Sequence, residues 1–133
     1  MKKLQTLILN VLLMVCFTQC KTLLPLPNEP TRYSAEESKR IIERVLNQQT
    51  KHIPLSVYVD TLFYKVAYAS AAITGRQVYK FVYFNDIGEL KIYKYPHYYN
   101  LVIYTKKGRE INKVLSKSLE DLHKMVYAIR SLQ

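Results

Sequence analysis

The 133 residues contain no tryptophan, only three glycines, and two cysteines that both fall within the first 20 positions. Each shortage excludes something. Beyond residue 20 there is no cysteine pair, so a disulfide framework and a thiolate metal cluster are ruled out there. Three glycines cannot build a Gly-rich phosphate loop. No P-loop, GxGxxG or GxSxG occurs, and Gly75, Gly88 and Gly108 all read as turn residues. The three histidines, His52, His97 and His123, share no metal-ligand spacing. Acidic residues are also scarce, 10 against 20 basic ones. Most of them read as helix caps, turns or solvated helix faces. A hydrolase needs a nucleophile, a base and an orienting acid brought together. No such set emerges, so the expectation is a protein without enzymatic activity, cofactor or metal.

What the chain does have begins at its front. Lys2 and Lys3 precede an apolar run from Leu4 to Phe17, followed by Thr18-Gln19-Cys20. A charged start and an apolar run of this length form an export signal. An ordinary signal-peptidase site wants small residues one and three places before the cut. No alanine occurs before Ala35, and a cut after Thr18, with Cys16 three places back, is the best such site. The segment resembles a bacterial lipoprotein signal instead, in a relaxed form similar to lipoproteins of the Bacteroidota. Phe17 and Gln19 depart from the aliphatic and small residues common in that pattern. The resemblance implies a lipid on Cys20, with Cys16 as the second candidate. It also implies attachment to a cell-envelope membrane, facing the periplasm or the exterior. The alternative is an uncleaved anchor. Leu4 to Cys20 just reaches the ~17–25 residues that a spanning helix needs, and the lysines would stay inside.

Three segments follow: an export signal over 1–19, a tether over 20–33, and one small α+β domain over 34–133. Pro25, Pro27 and Pro30 make the tether extended and non-helical, and its Leu23-to-Pro27 patch could instead dock on the domain. Ser34 with Glu37 is a capping box. Ile41, Ile42, Val45 and Leu46 then mark one face of a helix over 35–49. Between Pro54 and Thr74, apolar residues recur at three- and four-residue steps from Leu55 to Ala67. That spacing predicts a second helix, although Val57, Tyr58, Val59, Phe63 and Tyr64 favour strands. From Gln77 the period becomes two. Val78–Phe84 and Glu89–Tyr95 are expected to form a hairpin, with Gly88 supplying a positive φ in the turn. A strand over Tyr98–Thr105 follows, then a turn at Lys106-Lys107-Gly108. Glu110–Leu115 reads as a fourth strand or as the start of the last helix. Ser118 and Asp121 cap that helix, whose inner face is Leu119, Leu122, Met125, Val126 and Ile129. The expected architecture is an antiparallel β-meander of three or four strands with helices packed on one face.

The candidate site lies on the other sheet face. If Leu90 and Ile92 point inward, Lys91, Tyr93 and Tyr95 point outward together. Tyr79 or Lys80, and Tyr83, would join them across the hairpin. From Arg76 to Arg109 there are seven basic residues, two acids and seven tyrosines. Such a face can stack on sugars, pair with anions, or anchor a protein partner. Without Lys2 and Lys3 the chain keeps 18 basic and 10 acidic residues, a net +8. Export argues against nucleic acid, so the expected partners are the membrane, through the N-terminal lipid, and an envelope protein or anionic glycan. A second reading is an immunity-type lipoprotein that inhibits a secreted toxin or enzyme. The sequence leaves the oligomeric state open. For the lipid, Cys20→Ser is expected to leave an unprocessed precursor that takes up no labelled fatty acid. Label retained in Cys20→Ser but lost in Cys16→Ser would move the site to Cys16.

Overall fold

The computed structural model describes residues 1–18, 21–28, 31–70 and 76–133. Cys20 therefore lies outside the described residues. In chain order the elements are helix α1 (Lys2–Thr18), strand β1 (Thr22–Leu24), helix α2 (Ala35–Asn47), and strands β2 (Ser56–Val59), β3 (Phe63–Ala69) and β4 (Gln77–Tyr83). A 3-10 turn at Phe84–Asp86 leads to β5 (Ile87–Lys94), β6 (Tyr99–Thr105), β7 (Glu110–Ser116) and helix α3 (Leu119–Leu132). The strands form two antiparallel sheets, ordered β1-β5-β6-β7 and β2-β3-β4. The α+β class holds, and β5-β6-β7 is the meander.

The helices start where their caps place them. Ser34 Oγ accepts from the Glu37 amide at 3.2 Å, and Ser118 Oγ from the Asp121 amide at 3.2 Å. Each such cap is worth about 1 kcal/mol. Ile42, Val45 and Leu46 of α2 meet Leu122, Met125, Val126 and Ile129 of α3 in one core. Leu90, Ile92, Leu101, Ile103 and Val114 close that core from the first sheet, and Tyr64, Val66 and Val82 from the second. Arg44 and Asp121 bridge the helices at 2.9 Å, but both are partly exposed. The pair therefore adds at most about 1 kcal/mol.

Three expectations need correction. The segment read as a helix over 54–74 forms β2 and β3, joined by a turn at Asp60–Leu62; residues 71–74 lie outside the described residues. Its apolar residues fit both periods. The deciding factors are β-branched and aromatic side chains and the turn, where Asp60 Oδ1 accepts from the Thr61 amide. Tyr64 and Val66 face the core, while Phe63 and Lys65 face outward. Second, β4 and β5 do not form a hairpin. They belong to different sheets, and the chain crosses between them at Phe84, which is buried. Third, Gly88 does not supply a positive φ; Gly108 does, at 80°. Gly88 sits at a bulge in β5. A Cβ there would lie 2.6 Å from Lys106 Cα, so only glycine allows this backbone approach.

Residues 21–28 lie along the domain. β1 pairs with β5, setting Leu23 opposite Tyr93 and Leu24 opposite Ile92. Leu24, Leu26 and Tyr33 pack on the core. Arg130 Nη1 donates to the Pro27 carbonyl at 3.3 Å, and the Tyr33 amide to Ser131 Oγ at 3.1 Å. Without β1, β5 would be an open edge, which proteins commonly cover. In α1 the side chains of Leu4, Leu7, Ile8, Leu9 and Val11 are exposed. Among the described residues no helix is long and apolar enough to cross a membrane.

The two sheets are joined inside by a polar contact. Asn112 Nδ2 of β7 donates to the Tyr64 hydroxyl of β3 at 2.7 Å, and both residues are buried. Burial pushes the Tyr64 phenol well above its usual pKa, and the Asn112 hydrogen bond opposes this only in part. Below about pH 10, the usual tyrosine value, folded and unfolded chains both keep the proton. Above it only the unfolded chain ionises, so stability falls as pH rises. Tyr64→Phe is expected to cost roughly 1–3 kcal/mol at neutral pH by removing the buried hydroxyl to which Asn112 Nδ2 donates. It should also flatten the alkaline decline. Urea unfolding between pH 7 and 11 checks both, and parallel declines would show that Tyr64 is not the source.

Candidate functional site

The strand registers place the outward side chains of the first sheet in rows. One row runs Leu23, Tyr93, Asn100, Leu115; the next runs Lys91, Val102, Lys113. Lys91 and Tyr93 thus share a face, opposite Leu90 and Ile92, which are in the core. Lys91 pairs with Glu89 at 3.6 Å and lies 5.4 Å from the Tyr104 ring centroid. Lys21 sits 4.8 Å over the Tyr93 ring. Tyr104 is pushed above its usual pKa by burial, then by its hydrogen bond with Tyr93. Tyr95 lies past the end of β5, at the sheet rim. It stacks on Tyr98 at 4.8 Å with the rings 12° from parallel. Tyr79, Lys80 and Tyr83 do not join this face, because β4 belongs to the second sheet.

The rows run into a cleft of about 780 Å³ where the two sheets meet. Asn100, Lys113 and Leu115 line it from the first sheet, Tyr68, Val78 and Lys80 from the second. The loop after α2 adds Lys51, His52 and Ile53, and the rim turn adds Tyr95 and Tyr98. Lys51 sits 4.7 Å over the Tyr98 ring, and Lys80 lies 5.8 Å from the Tyr68 ring. Among the described residues neither lysine pairs with a carboxylate, whereas Lys113 lies 3.5 Å from Glu110. The Tyr68 phenol is pushed up by burial, opposed by hydrogen bonds with Gln49 and Asn112. Its hydroxyl stays protonated near neutral pH and is able to donate.

Asn100 is the most unusual lining residue. It is only 5% exposed, and its Oδ1 is fully buried with no hydrogen-bond partner. A buried unpaired carbonyl costs roughly 1–3 kcal/mol, and asparagine is disfavoured in strands. Both costs fall on a position lining the cleft. The sequence put Tyr95 on an outward face with Lys91 and Tyr93 and did not foresee this cleft or the place of Lys51, Tyr68, Tyr98, Asn100 and Lys113 in it. The available signal was an asparagine within the otherwise apolar and aromatic run Tyr99–Tyr104.

The polar lining of the cleft is made of three lysines, three tyrosines, two asparagines, Ser70 and His52, and its one acid, Glu110, already faces Lys113. Among the described residues, no three histidine, cysteine, aspartate or glutamate side chains come together as a metal site. The chain matches no protein-family model, no curated protein and no solved structure.

The loop carrying Lys51 is held by the backbone. The Thr50 amide donates to the Leu115 carbonyl at 3.2 Å, and His52 takes a left-handed φ of 54°. Histidine tolerates that region better than β-branched residues do. His52→Val is accordingly expected to destabilise by about 1–2 kcal/mol, while His52→Gly stays within about 1 kcal/mol of the parent. Equal melting points for the two variants would show that the loop does not need this conformation.

Proposed function

We propose that this protein is a small, lipid-tethered envelope module that binds an acidic sugar chain in the cleft, without enzymatic activity. The observation that carries this reading is Asn100, an almost fully buried amide with an unpaired oxygen, lining a cleft that also holds Lys51 and Lys80. Amides satisfy sugar hydroxyls, lysines neutralise carboxylate or sulfate, and tyrosine rings pack on sugar faces. The parallel Tyr95–Tyr98 pair provides such a ring platform at the rim. Lys91 and Tyr93 lie on the same sheet face, and Tyr93 is the direct cross-strand neighbour of Asn100. They would extend the binding track beyond the cleft. The N-terminal signal with Cys20 supports the envelope location, where acidic glycans are at hand.

Asn100→Leu separates function from folding. The substitution removes the unpaired amide and keeps the volume, so stability is expected to rise by about 1 kcal/mol or stay level. Affinity for an oligomer of uronic acid, measured by calorimetry, should fall roughly tenfold or more, the effect of one lost buried polar contact. Tyr98→Ala should weaken binding by a similar factor with the fold intact. A folded Asn100→Leu protein that binds as well as the parent would remove the cleft from consideration. If neither parent nor variant binds acidic sugars, and a toxin or envelope protein is retained through the same cleft residues, the protein-partner reading replaces the glycan.

A further inference from the structure

The outward face of the second sheet poses a different problem from the cleft. β3 and β4 alternate, so Val78 and Lys80 face the cleft while Tyr79, Phe81 and Tyr83 face away from it. Phe81, Tyr79 and Tyr83 are each 49% exposed, and Tyr58 of β2 is 56% exposed. Phe63 lies at the centre of this group. Its ring centroid is 5.4 Å from Tyr83, 5.9 Å from Tyr58 and 6.1 Å from Phe81. Soluble surfaces seldom carry aromatic patches of this kind without a use for them.

The charge on this face has one sign. Lys65 sits among the rings, 4.4 Å over Tyr79 and 5.6 Å from the centroid of Phe81. The registers put Ser56, Ala67, Ala69 and Gln77 beside them, with no carboxylate in the rows. Asp60, in the turn at one end, is engaged with Thr61. Phenylalanine inside, tyrosine at the rim and lysine among them is the composition favoured at a bilayer interface.

We propose that the Tyr58–Phe63–Tyr79–Phe81–Tyr83 face rests on an anionic lipid bilayer, with the rings in the headgroup layer and Lys65 among the lipid phosphates. The cleft lies on the other side of the same sheet, so docking in this orientation leaves it open to ligand. This contact is independent of the acidic-sugar reading and of any lipid on Cys20.

The absence of tryptophan from the chain gives a clean test. Phe81→Trp in the full chain places one indole on the face, and Tyr104→Trp places one on the first sheet. Tyr83→Trp serves as a second probe should Phe81→Trp misfold by circular dichroism. Vesicles containing phosphatidylglycerol are expected to shift the emission of the Phe81→Trp protein to shorter wavelength and to protect its indole from acrylamide. The emission of the Tyr104→Trp protein should stay unchanged. Adding Lys65→Glu to the Phe81→Trp protein should abolish most of the protection, because a basic residue near an anionic leaflet contributes measurably to binding. Four outcomes would overturn the proposal. The indole at position 81 could stay accessible with vesicles. It could already be protected without them, which would mean that α1 or a second copy of the chain covers the face. The indoles at positions 81 and 104 could be protected alike, or pure phosphatidylcholine could work as well as the anionic lipid.

Discussion

The buried hydrogen bond between Tyr64 and Asn112 is the constraint around which the domain is arranged. Each partner belongs to a different sheet, and the chain must change sheets between β4 and β5 to bring them together. Two polar groups without water need each other, so the bond fixes how β3 lies against β7. Tyr68, further along the same strand face, packs against the edge of the core and also lines the cleft. Gln49 and Asn112 meet its hydroxyl there. The apolar core on one side of this seam and the polar cleft on the other follow from one inter-sheet contact.

Local signals were legible in the sequence where the element depends on its own residues. Ser34 with Glu37 and Ser118 with Asp121 mark both domain helices because a cap acts within four residues. The alternation from Leu90 to Tyr93 shows the two faces of β5 because a strand's sides depend only on its own period. Signals failed where a distant partner decides. Residues from Leu55 to Ala67 satisfy a helical spacing, and the preference of Val57, Tyr58, Val59 and Phe63 for a sheet prevails once β4 is there to pair with. Asn85-Asp86-Ile87-Gly88 looks like a hairpin turn but is a crossing between sheets. Nothing local shows that β5 will pair with β1 and β6 instead of β4. Alternation put Tyr95 on one face with Lys91 and Tyr93, but β5 ends at Lys94 and Tyr95 lies at the cleft rim. Asn100 escaped because its importance depends on what surrounds it.

Of the four unpaired buried side-chain atoms among the described residues, two lie at or beside the cleft. Asn100 lines it, and its buried Oδ1 is unpaired. Thr50 Oγ1, also unpaired, immediately precedes the loop that carries Lys51. His52, the only described non-glycine residue with positive φ, belongs to the same loop. Ser38 and His123 carry the other unpaired buried atoms. Capped helices, a covered β5 edge and a continuous apolar core agree with one another elsewhere, as foldable sequences require. A strained loop and an unpaired amide close together are the kind of local cost that functional sites carry, and they support the proposal that the cleft serves recognition. The exposed aromatic face is a different departure, since its rings are satisfied by one another and by Lys65. It lacks cover but not partners. That contrast supports the two separate proposals, an acidic sugar chain for the cleft and a bilayer for the aromatic face.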